Sequence, residues 1–378
     1  MKLVVFGLTI SSSWGNGHAT LWRGLCRALG ERGHRVTFFE RDVPYYAAHR
    51  DLLMPDGCNL RLYRTWEDIR GEALRETCDA DFAMVTSYCP DAHEAGSLVL
   101  ESTTRSVFYD MDTPITLDAV ERGVPVPYLP ANGLRDFDLV LSFTGGLALG
   151  RLASQLGARQ VAPLYGSVDP LVHHATAGVR RLQSDLSYIG TYAEDRQPAL
   201  DRLFFGPARR RPDARLMLAG SQYPQDFAWE PNVFYLTHLP PGDHASFYSS
   251  SAWTLNVTRA AMAALGYCPS GRLFEAAACG TPIVTDGWPG LDEFFTPGYE
   301  LLVAETTEDV IAAMDLAESD RRVIGTRARE RALDCHTATV RVHELETLLG
   351  SVGFGRPRVE PVDAAQVGSA AHAGTGGA

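Results

Sequence analysis

Residues 2–39 read KLVVFGLTISSSWGNGHATLWRGLCRALGERGHRVTFF, and this stretch decides the fold. Residues 2–7 are an apolar run with the look of a buried strand, and a polar loop with Gly15 and Gly17 occupies 11–17. From 19 to 32, Leu21, Leu25, Ala28 and Leu29 recur at the spacing of one helix face. Gly33 ends that helix as a cap residue, and a second apolar run begins at 35 and reaches 39. Strand, helix and strand in this order demand a right-handed parallel crossover, which predicts a Rossmann-like first domain.

Moving outward, short apolar runs at 60–63, 82–86, 107–109, 139–142 and 160–164 are each followed by turn or cap residues. They extend one parallel sheet, whose strands are buried on both faces and so read as continuous apolar runs. The segment 166–184, rich in Gly, Pro, His and Arg, has no sustained period and reads as a linker, with a boundary near 170. Strand patterns resume at 186–189, 215–219, 233–236, 253–257, 283–285 and 301–303. Helical patterns follow at 307–317, opened by Thr307 and Asp309, then at 320–333 and 339–349. The expected organisation is α/β throughout. A Rossmann-like domain at 1–168 faces a second one at 169–352 across a cleft, with the last helix packing back on the first domain. The Gly-, Ala- and Pro-rich 353–378 is expected to be a disordered tail.

A length of 378 residues fits two domains, and 45% hydrophobic with 21% charged residues is ordinary globular composition. Thirty-four Lys and Arg against 46 Asp and Glu leave a net charge of −12, which disfavours duplex nucleic acid and anionic lipid as partners. The apolar opening at 3–10 is far short of the ~20 residues of a membrane span and precedes no cleavage-site pattern, so a cytoplasmic protein is expected. Seven scattered cysteines, none in a C-x-x-C pair, encode neither a disulfide framework nor a zinc site.

The chemistry concentrates in residues 269–286, PSGRLFEAAACGTPIVTD, read as loop, helix and strand. Ser270 and Gly271 offer free N–H groups and the positive end of a helix to an anion such as a diphosphate. Arg272 adds a bidentate cation. Glu275, one turn later, stands where a carboxylate can accept hydrogen bonds from two ribose hydroxyls. Gly280 stops the helix and Pro282 leads into the next strand.

The run 272–286, with GWPGLDEFF at 287–295 behind it, resembles the sugar-nucleotide half of GT-B glycosyltransferases, in particular the spore-maturation CgeB-like branch of the family 1/family 4 group. The resemblance takes in Asn256, Val257, Thr258 and Arg259 and, more weakly, the first loop, so it spans roughly residues 1–350. It implies a nucleotide-diphosphate-sugar donor, no cofactor or required metal, and retention of anomeric configuration. It also implies donor contacts from Thr258 and Arg259, diphosphate contacts from Gly190, Thr191 and Arg196, and base or ribose contacts from Ser221, His238 and Leu239. The family commonly carries a second glutamate eight positions before the one matching Glu275; here that position is Tyr267.

Gly17 and His18 follow the first strand, where glycine allows close backbone approach and an imidazole serves as general base or positioning donor. An apolar strand ends in Asp110-Met111-Asp112. D-x-D of this kind marks metal-dependent GT-A enzymes, the sharpest rival; within two αβ halves both aspartates are assigned to the acceptor side. Tyr45, Tyr46, Trp66 and Tyr88 are loop aromatics able to stack on sugar faces, though most are expected in the core. His173-His174 lacks an acidic ligand at metal-site spacing, and Arg209–Arg211 reads as a solvated face. The leading expectation is a glycosyltransferase acting on an unidentified acceptor. The alternatives are an inverting enzyme with His18 as base and a non-catalytic nucleotide-sugar binder. A dinucleotide oxidoreductase is disfavoured, because no complete G-x-G-x-x-G with a ribose acid about 20 residues on is present.

Overall fold

The computed structural model describes residues 1–352; the tail expected at 353–378 lies outside the described residues. Among the described residues, thirteen strands form two sheets. The first contains β1 (Lys2–Gly7), β2 (Arg35–Arg41), β3 (Cys58–Tyr63), β4 (Phe82–Thr86), β5 (Arg105–Asp110), β6 (Leu139–Ser142) and β7 (Val161–Pro163) in the order β3-β2-β1-β4-β5-β6-β7. The second contains β8 (Leu186–Ile189), β9 (Leu216–Ala219), β10 (Val233–Leu236), β11 (Thr254–Asn256), β12 (Ile283–Thr285) and β13 (Leu302–Val303) in the order β10-β9-β8-β11-β12-β13. All their pairings are parallel.

Each sheet is covered on both faces. Leu3, Val5, Phe38, Met84, Val107 and Leu141 pack to one side of the first sheet, while Val4, Phe6, Phe39, Val85, Phe108 and Val140 pack to the other. The second sheet divides likewise, with Met217 and Ile283 on one face and Leu216, Leu218 and Val284 on the opposite one. In both sheets the strand order reverses beside the first strand, between β1 and β4 and between β8 and β11. Open parallel sheets bind ligands at the carboxyl ends of strands at such a reversal, and here the two reversals face each other.

The chain crosses between the sheets twice. After β7 it reaches Val168, whose N–H donates to His336 O (2.9 Å), while Ala338 N–H donates back to Val168 O (2.8 Å). Helix Glu318–Cys335 packs Ala328 and Ala332 on the second sheet. Helix Ala338–Ser351 then returns to the first, burying Val342, Leu345 and Leu349 among Trp22, Leu25 and Leu29. His336 at the crossing is held neutral by burial, which pushes its pKa down to about 4, with Nε2 3.0 Å from the Phe294 carbonyl. The outer end of this helix is anchored by Glu346, which accepts from Arg32 Nη2 at 2.7 Å and lies 2.6 Å from His34 Nε2.

The capping residues set two helix starts more closely than the sequence reading does. The first helix begins at Gly17, two residues early, because the Asn16 side chain caps it by accepting from the His18 N–H (3.1 Å). The helix at Thr307–Met314 is opened by Thr306 in a capping box with Asp309.

Candidate active site

A cavity of about 500 Å³ lies between the carboxyl ends of the two sheets. Gly17, His18 and Asp112 line its first wall. Gly190, Thr191, Arg196, Ser221, His238, Leu239, Thr258, Arg259, Ser270, Gly271, Arg272 and Glu275 line the second.

Asp110 is the exception. It is fully buried, burial pushes its carboxyl up to about 6, and its Oδ1 accepts the Asp112 N–H (3.2 Å). The strand ends at Asp110 and the chain turns into the helix that begins at Thr113, so the two aspartates of the D-x-D diverge: Asp112 lines the cavity and Asp110 stays buried at the strand end. Of the two aspartates expected on the acceptor side, only Asp112 lines the cavity.

On the first wall, His18 Nε2 lies 3.5 Å from Asp112 Oδ2, and His18 Nδ1 is buried with no partner. A carboxylate beside an imidazole fixes the ring, the arrangement of a general base with an orienting group. Gly17 is unobstructed: a Cβ built there meets no protein atom within 4 Å. Tyr46 and Tyr88 join this wall, and Tyr88 adopts φ 63, a left-handed conformation costly for a bulky residue. Tyr45 is half-exposed and accepts from Gln222 Nε2 across the cleft (3.2 Å). Trp66 packs on Phe6 and Tyr63 away from the cavity.

The second wall is cationic where helix Gly271–Ala278 begins. Ser270 makes no side-chain capping bond, so first-turn N–H groups face the cavity. Arg272 lies 5.3 Å over the Tyr188 ring and donates to Asn256 Oδ1 (2.7 Å). Arg196 donates to Tyr188 Oη (2.8 Å) and Thr191 O (3.3 Å), and its Nε is buried without a partner. Among the described residues neither guanidinium is ion-paired, whereas Arg259 pairs with Asp195 (3.2 Å). Two guanidiniums outside any ion pair and a helix N-terminus on one wall make an anion site. Thr258 contributes less than its position suggests, because its N–H and hydroxyl both donate to Asp286.

Glu275 sits one turn along the same helix. It accepts from Tyr248 Oη (3.3 Å), with His244 Nδ1 at 3.7 Å and His173 Nε2 at 3.9 Å. Burial works to raise its pKa, but His173, His244 and Arg272 outweigh it and hold the carboxyl below its ordinary value. His173 is 1% exposed, and burial pushes it down to about 4. His173 carries no functional signal in the sequence, because its acidic partner Glu275 comes from a distant helix that no local spacing reveals. Arg209, Arg210 and Arg211 pair with Glu230, Glu308 and Asp315 at the surface.

Two further residues explain departures from related patterns. Tyr267 (φ 49) does not line the cavity. Its ring is wedged between Gly146 and Gly290, where an added Cβ would fall 2.3 and 2.5 Å from ring carbons, and its carbonyl accepts the Gly145 N–H (2.9 Å). The position thus pins one domain to the other. Glu40, at the end of β2, is where a dinucleotide fold keeps its ribose acid. Here it is fully buried and accepts from Thr9 Oγ1, Ile10 N, Ser11 N and Ser11 Oγ at 2.5–3.0 Å, so it holds the first loop and is closed to a ribose.

Residues 196–347 match the family model described as glycosyl transferase-like. The chain superposes on sucrose-phosphate synthase from Thermosynechococcus elongatus with a TM-score of 0.66 at 14% identity, covering 93% of this chain and 100% of that one. It is similar to Anabaena HepE, solved with UDP and glucose, with a TM-score of 0.65 at 13% identity, covering 93% and 99%. The trehalose-6-phosphate synthase OtsA gives 0.66 at 12% identity, covering 93% and 100%. Comparison with curated protein sequences gives no match. The fold is GT-B, and its second half carries a glycosyl transferase-like domain. No helix among the described residues is long and apolar enough to cross a membrane.

Proposed function

We propose that this protein transfers a sugar from a nucleotide-diphosphate-sugar donor, held by the second domain, to an acceptor held by the first. The observation that carries this reading is the convergence of Arg196, Arg272 and the open N-terminus of helix Gly271–Ala278 on one wall, with Glu275 a turn away. The arginines and helix N–H groups stabilise the diphosphate as it leaves, electrostatic preorganisation that takes over the neutralising role of a metal at the phosphates. Glu275 accepts from the ribose hydroxyls. His18, oriented by Asp112, lies across the cavity at the reacting end, and Gly17 leaves room for the transferred sugar. Loss of a carboxylate at the Tyr267 position removes one donor-sugar contact and leaves sugar selection to the first wall.

Retention of configuration and affiliation with the CgeB-like branch are the finer parts of this proposal, supported by the motif resemblance over 256–295. An inverting reaction with His18 as base is the second reading, favoured by the His18–Asp112 pair. Calorimetry with UDP-, GDP-, dTDP- and ADP-sugars in EDTA tests the main reading: one class binds to wild type and is lost in Arg272→Ala. Absence of binding by every nucleotide sugar overturns it. The anomeric configuration of the product separates retention from inversion.

A further inference from the structure

His173, His244 and Glu275 meet at the inner side of the second wall, although they come from the crossing segment after β7 and two separate helical regions. His173 Nε2 is 3.4 Å from His244 Nδ1; the Glu275 oxygens are 3.9 Å from the first nitrogen and 3.7 Å from the second. A four-coordinate ion with ligand bonds of about 2.0–2.1 Å holds its ligand atoms about 3.3–3.4 Å apart. Those approaches run to different Glu275 oxygens, Oε1 for His173 and Oε2 for His244, and the ligand atoms of the three residues lie within 4.8 Å of one another, so a small side-chain adjustment brings them onto one face of a tetrahedron. They form the one such grouping of His, Cys, Asp and Glu among the described residues.

Protonation geometry is a second, independent observation. His244 Nε2 lies 3.2 Å from the Leu239 carbonyl oxygen, which only accepts. Nε2 therefore donates to that carbonyl and Nδ1 faces the cluster, the placement in which an outer partner orients a metal-binding imidazole. Tyr248 Oη holds Glu275 from behind in the same way. His173 is 1% exposed, aims Nε2 at the same point, and has no protein partner at Nδ1. Two imidazoles and one carboxylate, with the cavity open as a fourth position, suit zinc-type ions and not magnesium, which prefers six oxygens.

We propose that His173, His244 and Glu275 bind a zinc-type divalent ion in the nucleotide-free protein, and that ion and nucleotide exclude each other at Glu275. The ion would act as a brake, occupying the carboxylate that otherwise accepts the ribose. Exclusion rests on the reading of Glu275 given above; the ion site stands on its own geometry.

The test titrates full-length, EDTA-stripped, dialysed protein with ZnCl2 by calorimetry and with CoCl2 by visible absorption, using MgCl2 as control. One equivalent of each transition metal is expected, with the intense visible bands of four-coordinate cobalt and no heat from magnesium. His173→Ala and His244→Ala should abolish binding; His244→Gln, at the cavity wall, keeps the test valid if His173→Ala fails to fold. No binding by wild type, or wild-type binding by a folded His244 variant, refutes the ion site and leaves the histidines as supports for Glu275. UDP is then titrated with free zinc buffered at ten times its own Kd, where competition raises the apparent UDP Kd roughly ten-fold. An unchanged UDP Kd refutes exclusion. A protein that binds zinc but no nucleotide sugar in EDTA overturns the donor reading and leaves the ion site standing.

Discussion

Glu275→Gln is the substitution that most directly tests the donor site. The amide is nearly isosteric and can still accept from Tyr248 Oη, 3.3 Å away, so the helix and the cavity wall should persist. Two things are lost: the charge, and one of two acceptor oxygens facing the ribose. Hydrogen bonds to charged groups contribute about 1.5–3 kcal/mol each. Losing one and weakening the other predicts about 2–4 kcal/mol, or roughly a 30- to 1,000-fold rise in Kd at about 1.4 kcal/mol per decade. Calorimetry with the preferred nucleotide in EDTA measures it, and its 2′-deoxy analogue completes a double-perturbation cycle. Deoxygenation should cost wild type about ten-fold or more and Glu275→Gln much less, since the partner is already altered. If the variant binds within three-fold of wild type, or the two losses simply add, Glu275 does not hold the ribose.

Gly17→Ala separates fold from function: with no protein atom within 4 Å of the new Cβ, stability should stay within about 1 kcal/mol in thermal melts while sugar transfer falls more than ten-fold. Wild-type turnover in that variant would mean that nothing reacts beside residue 17. Gly146→Ala should destabilise by about 2–4 kcal/mol, because φ 55, ψ −134 is glycine-only backbone and the methyl meets the Tyr267 ring; adding Tyr267→Ala should recover the contact part only, read from urea melts. Asp110 titrates near 6 when folded against about 3.9 unfolded, so the folded state is favoured below pH 4 and that contribution is lost as pH rises through 6. Asp110→Asn should therefore match wild type at pH 4 and exceed it at pH 8 by on the order of 3 kcal/mol; equal melts at both pH values would contradict a buried, strained carboxylate.

The strands were legible one by one because a parallel sheet buried on both faces needs unbroken apolar runs such as Leu3–Phe6 and Val284 with its neighbours. The helix 271–278 was legible because a capping turn, an arginine and a glutamate at fixed offsets share one local surface. His173 was not, since a histidine in an aperiodic linker carries no signal until a distant helix supplies its partner. Glu40 escaped notice for a related reason: only the folded loop shows its carboxylate filled by Thr9, Ile10 and Ser11.

Sequence by itself therefore determined two Rossmann-like halves and the residues that bring anion-binding groups to strand ends, because periodicity, capping and turn chemistry act over a few neighbouring residues. Only tertiary structure decided that Asp112 faces His18 while Asp110 turns to the core, that Tyr267 bridges Gly146 and Gly290, and that Glu275 lies between two histidines. Those outcomes depend on which surfaces approach within a few ångströms after the chain has crossed between the sheets twice, and contacts of that range leave no mark in local spacing.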